Sequence, residues 1–243
     1  MAEKSVALFG LQETNCNFER PRMVETFHWA IRGVSTQHHG VTKSAKLQWP
    51  CNYQPCGTAV SIRNHWATRY LDKGSDIYGR WPWLTRAGRG TIQITCISAY
   101  RVCNGASEAA ITSRTVRAQQ EWMYADRGLS SVNLREQFVI DLITLIRDFQ
   151  TRGHEIVLIM DVNEACGHRS AVDRLLCACQ LSDVHAKCGN DPPPATIIEA
   201  RKKLTLYWRR LDWLQRDNDR CDMKQKLPKK LLLYRLQYIF FSL

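Results

Sequence analysis

The sequence predicts an α/β domain, and two observations carry that reading. First, "REQFVIDLITLIRDFQTRGHEIVLIMDVNEA" couples an amphipathic helix to an apolar strand through a single glycine. Second, several separate apolar runs each close on polar residues, as buried strands do at the edge of a sheet. Helices alternating with buried strands are the pattern of a layered α/β fold. The chain of 243 residues, 44% hydrophobic, is long enough to bury a core for one large domain or two small ones.

The elements follow in order. "SVALFGLQET" is an apolar run that ends at Gln12, Glu13 and Thr14, and reads as a first strand. Met23, Phe27 and Ile31 recur at helical spacing between Pro21 and Arg32, with Gly33 as the stop. Residues 35–56 are polar and broken, which predicts a loop. "GTAVSI" (57–62) and "GTIQITCISAY" (90–100) read as strands, and the Trp- and Gly-rich "GRWPWLTRAGRG" between them as a turn region. Phe138, Leu142, Leu145, Ile146 and Phe149 form one apolar stripe at i, i+4, i+7, i+8, i+11. Gly153 supplies a left-handed stop, and "EIVLIM" begins the next strand. A further helix is predicted from Arg169 to Gln180, with Val172, Leu175, Leu176 and Cys179 facing inward.

Composition narrows the class. No leader-like segment opens the sequence, and no apolar run reaches the roughly 18 residues a membrane helix needs. An intracellular, non-secreted protein, nuclear or cytoplasmic, is expected, without a membrane partner; no feature points to a protein partner. The ten cysteines include no C-x2-C pair, so their spacing gives no zinc pattern and they read as incidental thiols in a reducing compartment. The net charge of +11 suggests nucleic acid, but it is unevenly placed. Residues 197–243 hold 12 Lys and Arg against 5 Asp and Glu, whereas residues 1–196 hold 22 against 18.

Ligands collect where strands end at the carboxyl edge of an α/β sheet. Three strands end there in residues that can do chemistry: Glu13; Tyr100 with Arg101; Asp161 with Asn163. A hard cation such as Mg2+ takes one or two carboxylates and keeps waters and substrate phosphate as its other ligands. An aspartate can orient an attacking water, and an asparagine amide can donate to a phosphoryl oxygen as charge develops. Each residue also has a plain alternative. Glu13 can be an exposed strand-end acid, Tyr100 a core tyrosine, and Asp161 with Asn163 an Asx turn. His154 reads as a solvated loop residue.

The order of these pieces resembles the endonuclease/exonuclease/phosphatase superfamily, in particular the endonuclease domains of non-LTR retroelements. The resemblance runs from about residue 5 to residue 196, over "LFGLQETN", "QPCGTAVSI", "GRWPWLTRAGRG" leading into "ISAYRVC", "REQF", "GHEIVLIMDVNEACG" and "LSDVH". It implies a four-layer sandwich of two mixed β-sheets flanked by helices, and a Mg2+-dependent (or Mn2+-dependent) DNA endonuclease. By motif position Glu13 is the implied metal-binding carboxylate and Tyr100 a phosphate-contacting hydroxyl. Asp161 is implied to position or deprotonate the nucleophilic water, and Asn163 to stabilise the pentacovalent state. Asp183 is implied to be a structural or site-lining aspartate, a loop acid being the plain alternative, and the strand-end Arg101 is a further candidate to line the site.

The family pattern is expected to be incomplete at both ends. Its opening asparagine-bearing strand has no counterpart here, and residues 197–243 contain no Asp-His pair. With synonymous codons chosen to suit, a one-base shift near codon 196 turns "TIIEARKKLTLYW" into "YNRGKKKIDSIL", which follows the family pattern. Residues 1–196 are therefore expected to be a partial domain and 197–243 a basic tail translated out of frame, with catalysis impaired. The alternatives are a non-catalytic nucleic-acid-binding fragment that uses the tail, and a degenerate reading frame without selected function. The gene's nucleotide sequence distinguishes these.

Overall fold

The computed structural model describes residues 7–33, 35, 37–45, 54–103, 116–129, 132–163, 170–183 and 239–242. In chain order these form β1 (Leu8–Leu11), α1 (Pro21–Arg32), β2 (His38–Lys43), β3 (Thr58–Arg63), a 3-10 turn (Asn64–Arg69), β4 (Tyr70–Ser75), β5 (Pro82–Ala87) and β6 (Gln93–Tyr100). Then come α2 (Val116–Ala125), α3 (Leu134–Thr151), β7 (His154–Asp161), α4 (Ala171–Cys179), β8 (Leu181–Asp183) and β9 (Ile239–Ser242).

Two sheets flanked by helices result, an α/β architecture as the sequence predicts. The smaller has the order β1-β3-β2, with antiparallel pairings; the larger is mixed, in the order β4-β5-β6-β7-β9-β8. β6 and β7 run parallel, with α2 and α3 in the connection between them. Strand alternation divides the core in two. Ile97 and Ala99 of β6 and Ile156, Leu158 and Met160 of β7 pack against Phe138, Leu142, Ile146 and Phe149 of α3 and Val172 and Leu175 of α4. The opposite faces supply Cys96 and Val157, which meet Val60 and Ile62 of β3 between the sheets. α1 lies on the outer side of the small sheet, where a side chain at Gly40 would stand 3.2 Å from the Phe27 ring.

The helix ends behave as their residues dictate. Asn133 caps α3 by accepting from the backbone N–H groups of Arg135 and Glu136, each at 3.2 Å. Gly153 takes a φ of 80° after α3, the left-handed stop expected of it. Ser170 and Asp173 form a reciprocal capping box at the start of α4. Gly33, by contrast, ends α1 at a φ of −61°, so that helix stops without left-handed geometry.

Three local expectations are corrected. The predicted loop 35–56 contains β2, an edge strand whose sequence "HHGVTK" carries too little apolar alternation to announce itself. The predicted turn "GRWPWLTRAGRG" contains β5, with Trp81 and Leu84 buried. Arg80 beside it is buried too, its charge held by Asp76 at 2.7 Å and Asp141 at 2.8 Å while its guanidinium lies 4.2 Å from the Trp81 ring. His154 is no solvated loop residue: it opens β7, lies 2.9 Å from the Thr95 hydroxyl and stacks on Phe149. Of the tail at 197–243, only 239–242 falls within the described residues. There β9 pairs antiparallel with both β7 and β8.

Candidate active site

The site is built where β1, β6 and β7 end. Gln12 follows β1 and is buried; its side-chain amide donates to the Ser98 hydroxyl at 2.8 Å and to the Ile159 carbonyl at 3.3 Å. It ties the small sheet to the two central strands of the large one. The sheets approach closely here, since a side chain at Gly10 would stand 2.8 Å from the Ser98 oxygen.

Beyond Gln12 the backbone turns left-handed. Glu13 has a φ of 51° and Asn15 of 56°, and facing them Cys56 and Gly57 both have a φ of 76°. The two segments are laced together: Thr14 N–H donates to the Gly57 carbonyl at 3.1 Å, and Asn15 N–H to the Cys56 carbonyl at 2.6 Å. A side chain at Gly57 would come within 2.3 Å of the Thr14 hydroxyl, so only glycine fits. Non-glycine residues in this region are strained by about 1–2 kcal/mol each and persist where surroundings over-determine them.

This turn delivers the Glu13 carboxylate to Tyr100, whose hydroxyl donates to it at 2.5 Å. Tyr100 is only 2% exposed. Burial, reinforced by nearby Cys56 and Glu13, pushes its phenol far above the ordinary range, so it is a permanent donor at neutral pH. Tyr100 and Asp161 are register partners on parallel β6 and β7, and Arg101 N–H extends the ladder to the Asp161 carbonyl at 2.9 Å. Burial also pushes the Cys56 thiol up, with the Glu13, Asp76 and Asp161 carboxylates adding to it. Cys56 thus sits within the field of both candidate acids.

Asp161 is 2% exposed and accepts from Asn163 N–H at 3.1 Å, so the Asx turn foreseen as the plain reading is present. Asn163 has a φ of 47°, and its side-chain amide donates to the Arg101 carbonyl at 2.8 Å. That bond uses one of two amide hydrogens. Arg101 is buried rather than lining an open surface, and its Nε donates to the Arg135 carbonyl at 3.2 Å. The structure therefore brings Glu13, Tyr100, Asp161, Asn163 and Arg101 to one end of the sandwich. Asp183 ends β8, which β9 separates from β7, and its side chain lies outside the described residues.

Two supporting residues were missed by sequence reasoning. Arg135 donates from Nη2 to the Asn163 carbonyl at 3.3 Å and from Nη1 to the Val102 carbonyl, clamping the loops after β6 and β7. Gln54 anchors the segment facing Glu13. Arg135 stands in the quoted "REQF" and Gln54 in "QPCGTAVSI", but neither composition nor periodicity singles out a buried clamp.

Among the described residues no group of three His, Cys, Asp or Glu side chains could hold a metal ion. The donor set does not fit a closed protein cage. It does fit a hard cation held by Glu13 and otherwise by water and substrate oxygens, since a carboxylate with one oxygen engaged by Tyr100 keeps lone pairs on the other.

No family model matches this sequence, and no curated protein matches it. Among solved structures, the chain is similar to the human Nocturnin catalytic domain with bound sulfate, at 11% identity and a TM-score of 0.48, over 97% of this chain and 69% of that one. It is similar to D. rerio TDP2 complexed with a single-strand DNA product, at 11% identity and a TM-score of 0.45, over 97% and 70%. A third is an endonuclease/exonuclease/phosphatase family protein from Bacteroides thetaiotaomicron, at 11% identity and a TM-score of 0.45, over 97% and 69%.

Proposed function

We propose that this chain is a Mg2+-dependent phosphodiesterase-like domain of the retroelement-endonuclease type, with DNA as its substrate class and with reduced catalytic power. The observation that carries the reading is the Tyr100–Glu13 hydrogen bond beside the Tyr100–Asp161 register pair. These are three strand ends, far apart in the chain, delivering a carboxylate, a phenol and a second carboxylate to one place.

Each side chain then has a task. Glu13 is the ligand for the cation, which when bound supplies positive charge against the phosphoryl oxygens. Asp161 accepts a proton from water as the water oxygen bonds to phosphorus. The second Asn163 amide hydrogen donates to a non-bridging oxygen as negative charge builds there, while the Tyr100 hydroxyl, whose one hydrogen goes to Glu13, holds that carboxylate in place. The phosphorus bond to the departing sugar oxygen breaks, and that oxygen takes its proton from solvent. Among the described residues no histidine is positioned to act as the acid in this last step. The described histidines lie on α1 (His28), on β2 (His38, His39), in the 3-10 turn (His65) and at the opposite end of β7 (His154). Residues 197–243 contain no histidine. Groups that act together in catalysis lose most of the rate when one is lost.

Two measurements test the reading. Purified protein is expected to bind Mn2+ in a way that Glu13→Ala abolishes; equal binding by both proteins refutes the phosphodiesterase assignment. Plasmid nicking in Mg2+ is expected to be absent at enzyme-like protein concentrations. Robust Mg2+-dependent nicking, abolished by Asp161→Ala, refutes the impairment.

A further inference from the structure

We propose that Gln54 is a positioning residue, which sets the place of the Glu13 carboxylate from behind the site. It is fully buried and joins three parts of the chain. Its backbone N–H donates to the Asn15 carbonyl at 3.2 Å. Its side-chain amide donates to the Ala45 carbonyl at 2.8 Å and to the Gln119 side-chain oxygen of α2 at 2.9 Å.

The consequence is mechanical. Asn15 is held on both sides, its N–H by the Cys56 carbonyl and its carbonyl by Gln54. Glu13 and Asn15 both occupy the left-handed region, which such residues leave unless fixed. The turn that carries Glu13 to Tyr100 is therefore anchored, through Gln54, to α2 and to the end of the β2 segment. The junction is also a poor choice for stability alone. Of five buried side-chain polar atoms without a partner among the described residues, three are Thr14 Oγ1, Gln54 Oε1 and Gln119 Nε2. Buried polar atoms left without partners are disfavoured, and their gathering behind strained loops marks a junction kept for geometry.

This inference rests on the proposed role of Glu13, but the contact between Glu13 and Tyr100 can be read without any metal. The experiment compares wild type, Gln54→Met, Gln119→Leu, Glu13→Ala and, as a control for simple destabilisation, Ile146→Val in the α3 core. The readouts are the Tyr100 ring-carbon resonance beside the hydroxyl, assigned by its loss in Tyr100→Phe, and Mn2+ affinity. In Gln54→Met and Gln119→Leu the resonance is expected to move at least halfway to its Glu13→Ala position, and Mn2+ affinity to fall about tenfold, as for residues that orient a ligand. Ile146→Val should change neither. A Tyr100 resonance that stays at its wild-type position in both Gln variants overturns the proposal. If that resonance moves while wild type and Glu13→Ala bind Mn2+ equally, the positioning role stands and the phosphodiesterase reading falls. Gln119→Leu removes the same amide contact from the other side, so the question is answered even if Gln54→Met does not fold.

Discussion

Replacing Tyr100 with Phe removes one oxygen and leaves the buried ring in place. The oxygen donates at 2.5 Å to the Glu13 carboxylate and lies 3.7 Å from the Cys103 sulfur. Hydrogen bonds to charged groups contribute about 1.5–3 kcal/mol. Glu13 is only half-buried, so water can re-enter and replace part of the lost bond. A loss of about 1.5–2 kcal/mol is therefore expected, toward the lower end of that range. For a chain of this size each kcal/mol moves the melting temperature by about 2–4 °C, which gives a drop of about 3–8 °C. Urea unfolding at neutral pH without divalent ions measures it, and a double-mutant cycle with Glu13→Ala isolates the pair. A coupling energy of at least about 1 kcal/mol is expected for residues in direct contact. A Tyr100→Phe loss below about 0.5 kcal/mol, the range of ordinary surface changes, would refute the claim that this phenol is tied to Glu13. Strict additivity of the two single variants would do the same.

Arg135→Lys keeps the charge but loses the fork that holds the Val102 and Asn163 carbonyls. It should raise amide hydrogen exchange in the 161–163 turn while exchange in the centre of β7 stays unchanged. Gly57→Ala meets both a φ of 76° and a contact of 2.3 Å with the Thr14 hydroxyl, so calorimetry should show a loss of at least about 2 kcal/mol. Burial raises the thiols of Cys16 and Cys96 to about 12 and of Cys179 to about 11. Above about pH 8.5–9 the unfolded chain sheds these protons first, so stability falls with rising pH by up to about 1.4 kcal/mol per unit for each thiol. Cys16→Ala should flatten the alkaline limb, whereas an equally steep fall in that variant counts against the assignment. His28, His38, His39 and His154 are shifted the other way, first by burial and then by neighbouring positive charges. Below about pH 6.5 the unfolded chain therefore binds more protons, and stability should fall on acidification; His28→Gln should reduce that fall in an acid titration of the melting temperature.

Long periodic segments were legible in the sequence because burial on one or both faces dictates their pattern. The α3 stripe and the all-apolar interior of β7 are of this kind: α3 covers the sheet, and β7 lies between β6 and β9 with both faces enclosed. The edge strand β2 was invisible because only Gly40 of its six residues is buried and its residues include two histidines and a glycine. β5 was hidden for another reason. Its neighbours Arg80 and Gly79 look like surface turn residues, yet Arg80 is buried because two carboxylates and two aromatic rings surround it. At the site, the strand-end residues Glu13, Tyr100, Asp161 and Asn163 could be named because strand ends are where polar residues interrupt apolar runs. Their supports could not. Gln54, Cys56 and Arg135 act through backbone carbonyls and left-handed turns that leave no residue-type signature.

The placement of strain favours the functional reading proposed for these residues over the plain one. A strand-end acid needed only for solubility has no reason to occupy a left-handed conformation, and an ordinary Asx turn can be made without one. Here Glu13, Asn15, Cys56 and Asn163 are all left-handed, and every one of them adjoins the same strand ends. Among the described residues the remaining non-glycine examples, Asn64 and Gln180, fall at a strand-to-turn junction and a helix end, where such geometry closes an element. The four at the site close no helix. Asn15, Cys56 and Asn163 are held by cross-segment bonds of 2.6–3.2 Å between residues more than thirty positions apart, and Glu13 by its 2.5 Å bond from Tyr100, a contact set that packing alone does not require. The simplest physical account is that the backbone is bent there to aim side chains, and the Tyr100–Glu13 bond is the contact that aiming produces.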